Sequence, residues 1–203
     1  MVLGRVKSEH IFRNKSSRNA WCLLMIYSIG HGNRPISSFI ELLKKYNGKY
    51  LIDVRSFPRS KFNPDFNREN LETECQANGI KYIFMGDTLG GKPKAKHLYD
   101  EDGRADYTLM AKERDYQSSI ARLQVAANLE ENTFIMCSEL CPSQCHRSKL
   151  IGKTLDDLGL HPVHIDKRGG TLSQREVIDL ITNGQDDLFG SSPSTSKSRG
   201  SYA

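Results

Sequence analysis

The residues of this chain best suited to chemistry fall in three short segments. Cys137, Cys141 and Cys145 lie within nine residues, and Cys145 is followed directly by His146 and Arg147. A thiol reacts as its thiolate, which cationic neighbours and a helix start both favour. The Cys145–Arg147 segment opens a helical pattern, whose free N–H groups and dipole suit an anion. Cys145 or Cys137 is therefore read as a nucleophile, with His146 and Arg147 holding an anionic group. Glu139, between the two cysteines, is a candidate acid or base. The second segment is Asp53–Val54–Arg55, followed by Pro58 and Arg59. Asp53 can orient a neighbour or take a proton, and Arg55 and Arg59 in a proline-stiffened loop present cations to a ligand. The third is Gly30–His31–Gly32–Asn33–Arg34. Its glycines let backbone approach a ligand closely, the His31 imidazole, titrating near neutral pH, suits proton transfer, and Arg34 is a candidate ligand-binding cation.

Each segment also has a plainer reading. Free cysteines are often simply buried. Asp53 can be one half of an internal ion pair. Cys141 to Arg147 has the C-x5-R spacing of oxyanion-cradling loops, but Pro142 removes one N–H donor and the loop has no glycine. Cys137, Cys141, Cys145 and His146 offer zinc-type donors, yet adjacent Cys145 and His146 are awkward for a tetrahedral set. No metal and no cofactor is assigned on this reading.

An alternation of strand-like and helical runs positions these segments. Met25–Ile29 is strand-like, and a helix starting at Pro35 carries Ile36, Phe39, Ile40, Leu42 and Leu43 at a helical period. Tyr50–Val54 reads as a strand, Arg68–Ala77 as a helix stopping at Asn78–Gly79, and Ile80–Met85 as a third strand. Residues 86–105 form a long glycine-rich loop, and Gly90 and Gly91 within it join the ligand-binding set. Helix follows from Tyr107 to Leu129 with a break near Asp115, then a strand at Thr133–Met136. A helix over Gln144–Leu158, a strand at His161–Ile165 and a helix over Leu172–Ile181 with a Ser173–Glu176 capping box complete the pattern. The expectation is a three-layer α/β fold: a mainly parallel sheet of about five strands, helices on both faces, Rossmann-like or rhodanese-like in its winding. In such sheets ligands bind beyond the carboxyl ends of the strands, where all three segments fall.

The 203 residues are 37% hydrophobic and 26% charged, an ordinary globular composition. No apolar run approaches the roughly 18 residues of a membrane span, so no membrane partner is expected. The net charge of +5 is concentrated in residues 1–24, where five Lys and Arg face Glu9 alone. The rest is almost neutral, so overall charge does not argue for nucleic acid. Residues 1–24 read as a disordered basic extension, 25–182 as one α/β domain and 183–203 as a flexible tail. Five cysteines without a secretory pattern point to a reducing, cytoplasmic setting.

As a set, "SIGHGNR", "IDVRSFPRSKFNPDFN", "LGG", "MCSE" and "CHRSKLI" resemble the bacterial family described as domain of unknown function 488, over roughly residues 25–166. Gly32 and Cys141 depart from that pattern, where Ser and Asp are usual. The resemblance implies a three-layer α/β domain and supplies no reaction. A fainter likeness to rhodanese-like domains is one of fold. In the tail, Gln185–Asp186–Asp187–Leu188–Phe189 resembles the peptide by which bacterial DNA-processing proteins dock on the sliding clamp, with Asp186 in place of the usual Leu. Gln185, Leu188 and Phe189 are its partner-binding residues. Two functions follow as expectations. One is an enzyme whose strand-exit pocket takes an anionic ligand, a nucleotide or nucleic-acid phosphate. The other is a non-enzymatic DNA-maintenance adaptor recruited through the tail.

Overall fold

The computed structural model of the protein describes residues 25–129, 131–182 and 193–202. Its strands are β1 (Ile26–Gly30), β2 (Gly48–Asp53), β3 (Lys81–Phe84), β4 (Arg104–Asp106), β5 (Asn132–Cys137), β6 (Val163–Ile165), β7 (Thr171–Ser173) and β8 (Lys197–Ser201). Its α-helices are α1 (Ile36–Lys45), α2 (Arg68–Ala77), α3 (Gly86–Leu89), α4 (Tyr107–Met110), α5 (Arg114–Ala127), α6 (Lys153–Asp157), α7 (Gln174–Thr182) and α8 (Pro193–Ser196). A run of π-helical turns, Arg147–Gly152, leads into α6.

Six strands form one sheet in the order β3-β2-β5-β1-β6-β7. All neighbours are parallel except β6 and β7. The sequence reading of about five strands missed β7, which takes Leu172 and Ser173 from the start of the helix read over Leu172–Ile181, so that α7 begins at Gln174. The Ser173–Glu176 capping box forms as read: the Glu176 carboxylate accepts from Ser173 N–H at 2.7 Å, and Ser173 Oγ accepts from Glu176 N–H at 3.2 Å.

Apolar side chains cover both faces of the sheet. On one face Phe39, Ile40 and Leu43 of α1 and Leu71 and Cys75 of α2 pack on Ile29, Leu51, Phe134 and Met136. On the other, Tyr116, Ile120 and Leu123 of α5 join Leu150, Ile151 and Leu155 against Ile52, Ile135 and Cys137. Each such fully buried side chain contributes roughly 1.5–3 kcal/mol relative to exposure. Alternate residues of β2 and β5 thus serve opposite layers, and a three-layer α/β architecture results.

Register decides what meets at the sheet's rim. Gly30 pairs with Cys137, and Asp53 lies between Met136 on one side and Phe84 on the other. The carboxyl ends of β1, β2, β3 and β5 are therefore level. The chain leaves β1 through α1 on one face and leaves β5 through the π turns and α6 on the other. Between these two strands the connections diverge, opening a crevice.

Three differences from expectation have local causes. The loop at 86–105 is partly regular: it holds α3, a 3-10 turn at Lys96–Leu98 and β4. The long helix from Tyr107 is two helices, since Asp106 caps α4 through Thr108 and Leu109 N–H and the chain turns at residues 111–113. The helix expected from Gln144 starts later. Pro142–Gln144 forms a 3-10 turn, Cys145 is extended and π turns begin at Arg147. The tail is also corrected in part. β8 pairs antiparallel with β4, with Asp106 opposite Lys197, so residues 197–201 are structured rather than loose. The extension 1–24 and the peptide 185–189 lie outside the described residues. No helix among the described residues is long and apolar enough to cross a membrane.

Candidate active site at the strand exits

Beyond the carboxyl ends of β2 and β5 lies a cleft of about 370 Å³. Cys137, Cys145 and His146 are in its lining, all buried. Glu139 lies at its exposed mouth, and Lys92, Arg199 and Tyr202 close it from the far side.

The imidazole of His146 organises the thiols. One of its nitrogens, Nε2, is 3.1 Å from the Val54 carbonyl oxygen, which can only accept, so Nε2 carries a proton. Nδ1 faces both sulfurs, 3.8 Å from Cys137 Sγ and 3.6 Å from Cys145 Sγ. Hydrogen bonding to Cys145, and then the neighbouring His146, hold the Cys137 thiol well below its ordinary pKa. Burial, reinforced by Cys137, pushes the Cys145 thiol well above it. The two thiols thus titrate as a coupled pair, Cys137 losing its proton more readily than Cys145. Cys75, buried on α2, offers a contrast: burial pushes its thiol up to about 12, leaving it inert. Gly91 makes room for the imidazole, because a Cβ there would lie 2.7 Å from His146 Cγ. Gly90 is equally confined, with Ser56 against the position of its missing Cβ. Of the two, Gly91 lines the cleft and Gly90 does not.

His31, Asp53 and Arg55 meet, but as a buttress behind the cleft. The Asp53 carboxylate accepts from Arg55 Nη2 at 2.6 Å, from Arg55 N–H at 3.0 Å and from the Tyr82 hydroxyl at 2.7 Å. Arg55 also donates to the Phe66 carbonyl at 2.8 Å. Of this group only Arg55 reaches the cleft lining. His31 stacks on Phe66 with ring centres 4.2 Å apart, donates from Nδ1 to the Gly32 carbonyl and presents Nε2 to Arg55 Nη1 at 3.3 Å. Burial, and then the Arg55 charge, lowers its pKa to about 4. A neutral imidazole whose lone pair faces a guanidinium is a poor base at neutral pH. His31 and Asp53, read from the sequence as catalytic candidates, lie outside the cleft lining and are held to Arg55, Phe66 and Tyr82.

Arg147 is corrected in the same way. It is fully buried, outside the cleft, and donates to Ser28 Oγ at 2.9 Å and to the Glu139 and Leu140 carbonyls at 2.9 and 3.1 Å. It therefore pins the chain between the two cysteines instead of cradling an anion. The C-x5-R reading fails with it, and Cys141 stands apart from the thiol–imidazole cluster. A buried chain of polar groups supports Arg147. Gln174 Oε1 accepts from His164 Nε2 at 2.6 Å, and His164 Nδ1 lies 2.9 Å from Ser28 Oγ. Arg34 donates to the Asp166 carbonyl at 2.7 Å beside β6, and exposed Arg59 pairs with Glu69 at 2.7 Å. Neither lines the cleft.

Besides Arg55, which the sequence reading named, two further cations line the cleft and were missed by it. Lys92 Nζ sits 4.1 Å over the Tyr202 ring, and Arg199 donates to Gln144 Oε1 at 2.7 Å. Neither has a carboxylate partner among the described residues. Lys92 follows the Gly90–Gly91 pair and was within reach of a loop argument. Arg199 and Tyr202 come from β8 and its end, and nothing in the tail's composition signals that pairing.

A family model described as Domain of unknown function DUF488 matches residues 35–153. That span runs from the start of α1 to the start of α6 and contains the thiols, His146, Glu139 and Lys92. No curated protein and no solved structure matches the chain.

Proposed function

Given that the chain belongs to the Domain of unknown function DUF488 family, whose description carries no reaction, we propose that it is an enzyme acting on an anionic substrate in the strand-exit cleft. One observation carries this reading: two buried thiols and an imidazole meet in the lining of a cleft that also holds Lys92 and Arg199, two cations without a carboxylate partner among the described residues. Polar and reactive groups are rarely buried together at a strand exit for packing alone. Lys92 and Arg199 hold the anionic group, a phosphate of a nucleotide or nucleic acid. Cys137, Cys145 and His146 form the reactive centre, and Glu139 exchanges protons with solvent at the mouth. Titration calorimetry with inorganic pyrophosphate and with nucleoside monophosphates tests the binding half. Saturable binding, weakened at least tenfold by Lys92→Ala with Arg199→Ala, is expected. Binding that the double variant leaves unchanged refutes the assignment.

A second reading rests on Gln185–Phe189, which falls between α7 and α8 outside the described residues. Here the tail recruits the protein to the sliding clamp. Capture by purified clamp, lost in the Leu188→Ala, Phe189→Ala variant, is the expected result. Undiminished capture removes this reading.

A further inference from the structure

We propose that Cys137 Sγ, Cys145 Sγ and His146 Nδ1 are three ligands of a zinc-class divalent ion whose fourth position opens into the cleft. The inference rests on the reading above that this trio is the reactive centre, and it names what that centre holds.

Distances carry the argument. Tetrahedral zinc has Zn–S bonds of about 2.3 Å and Zn–N bonds of about 2.0–2.1 Å, so the S···N edge of its coordination tetrahedron is about 3.6 Å. The two S···N separations here are 3.6 and 3.8 Å, and all three donor atoms lie within 4.8 Å of one another. Two edges of a zinc tetrahedron are thus matched, and the third, between the two sulfurs, is no longer than 4.8 Å. From the sequence, adjacent Cys145 and His146 are awkward for a tetrahedral set. The extended conformation of Cys145 followed by a helical His146 brings their side chains to the same point.

The surroundings suit a metal as well. A ligating imidazole is commonly held by a carbonyl on its other nitrogen. His146 Nε2–H donates to the Val54 carbonyl, which leaves the Nδ1 lone pair aimed at the sulfurs. Two thiols and an imidazole are soft and borderline donors, which favour zinc over magnesium or calcium. Neither cysteine is in a disulfide. Three protein ligands beside an open cleft is the arrangement of zinc sites that bind water or substrate, whereas structural sites are closed by four. Glu139, exposed, lines the same cleft and would serve as a proton acceptor for water bound there. Lys92 and Arg199 face the same opening, so an anionic oxygen of a substrate can approach the fourth position.

The full-length protein, stripped with chelator and titrated with Zn²⁺ and with Co²⁺, tests this. One ion per chain is expected, with a thiolate-to-cobalt charge-transfer absorption. Cys137→Ser, Cys145→Ser and His146→Ala should each weaken binding more than a hundredfold, while Cys141→Ser and Cys75→Ser keep it. Competition of the unaltered protein against a chromogenic zinc chelator gives the affinity without any variant that risks misfolding. A wild-type protein that takes up less than a tenth of an equivalent, or trio variants that bind as wild type does, overturns the proposal. Pyrophosphate binding by the metal-free protein is measured separately. If it persists while metal uptake fails, only the zinc assignment falls; if it fails while zinc binds, the anion reading falls alone.

Discussion

Acid should unfold this protein through two histidines before its ordinary carboxylates titrate. His31 and His164 are both buried, and burial lowers each from 6.5 to about 4. Arg55 adds to the effect on His31 and Arg147 to that on His164. Each imidazole stays neutral in the folded chain and takes a proton in the unfolded one, so the unfolded state binds more protons between the two values. Stability is then fully present above about pH 6.5 and is lost as pH falls toward 4. At pH 5.5 an ordinary imidazole is about nine-tenths protonated and these two almost none, which costs roughly 1–2 kcal/mol for each histidine and about 3 kcal/mol together. Urea unfolding at pH 7.5 and 5.5 measures the difference. His31→Gln and His164→Gln keep amide groups for the Gly32 and Arg55 contacts and for the Ser28 and Gln174 contacts. Each should remove about half of the pH-dependent loss, whatever its effect on stability at pH 7.5. A loss between the two pH values that is the same in wild type and both variants refutes the burial argument.

Other consequences follow from the same geometry. Asp53→Ala leaves the buried Arg55 guanidinium and the Tyr82 hydroxyl without their shared acceptor, and should cost about 3–5 kcal/mol by denaturant unfolding; a loss under about 1 kcal/mol contradicts the buttress. Gly91→Ala places a methyl group against the His146 ring and should weaken zinc or cobalt binding at least tenfold with the fold retained by circular dichroism; unchanged binding contradicts the placement of that ring.

The parts that local chemistry dictates were legible in the sequence. The period of Ile36, Phe39, Ile40 and Leu43 marks α1, Asn78–Gly79 ends α2, and Ser173 with Glu176 caps α7. The convergence of the strand exits followed from parallel topology, and the pairing of Gly30 with Cys137 realises it. What stayed hidden depends on which side of a strand end each side chain faces. Asp53, Arg55 and His31 sit at the same rim as Cys137, yet they turn toward Phe66 and Tyr82 and hold each other. Arg147 looks like an anion ligand by composition, but it points inward to Ser28. Arg199 and Tyr202 reach the cleft only because β8 pairs with β4, a long-range contact with no local signature.

The most direct test asks whether the thiols of Cys137 and Cys145 stand side by side. A monosubstituted trivalent arsenical bonds two neighbouring thiols at once and binds a lone thiol far more weakly. Metal-free protein should take up one per chain at low micromolar concentration, and Cys137→Ser or Cys145→Ser should abolish uptake while Cys141→Ser and Cys75→Ser leave it intact. Uptake that survives loss of either Cys137 or Cys145, or that requires Cys141, contradicts the reactive centre itself.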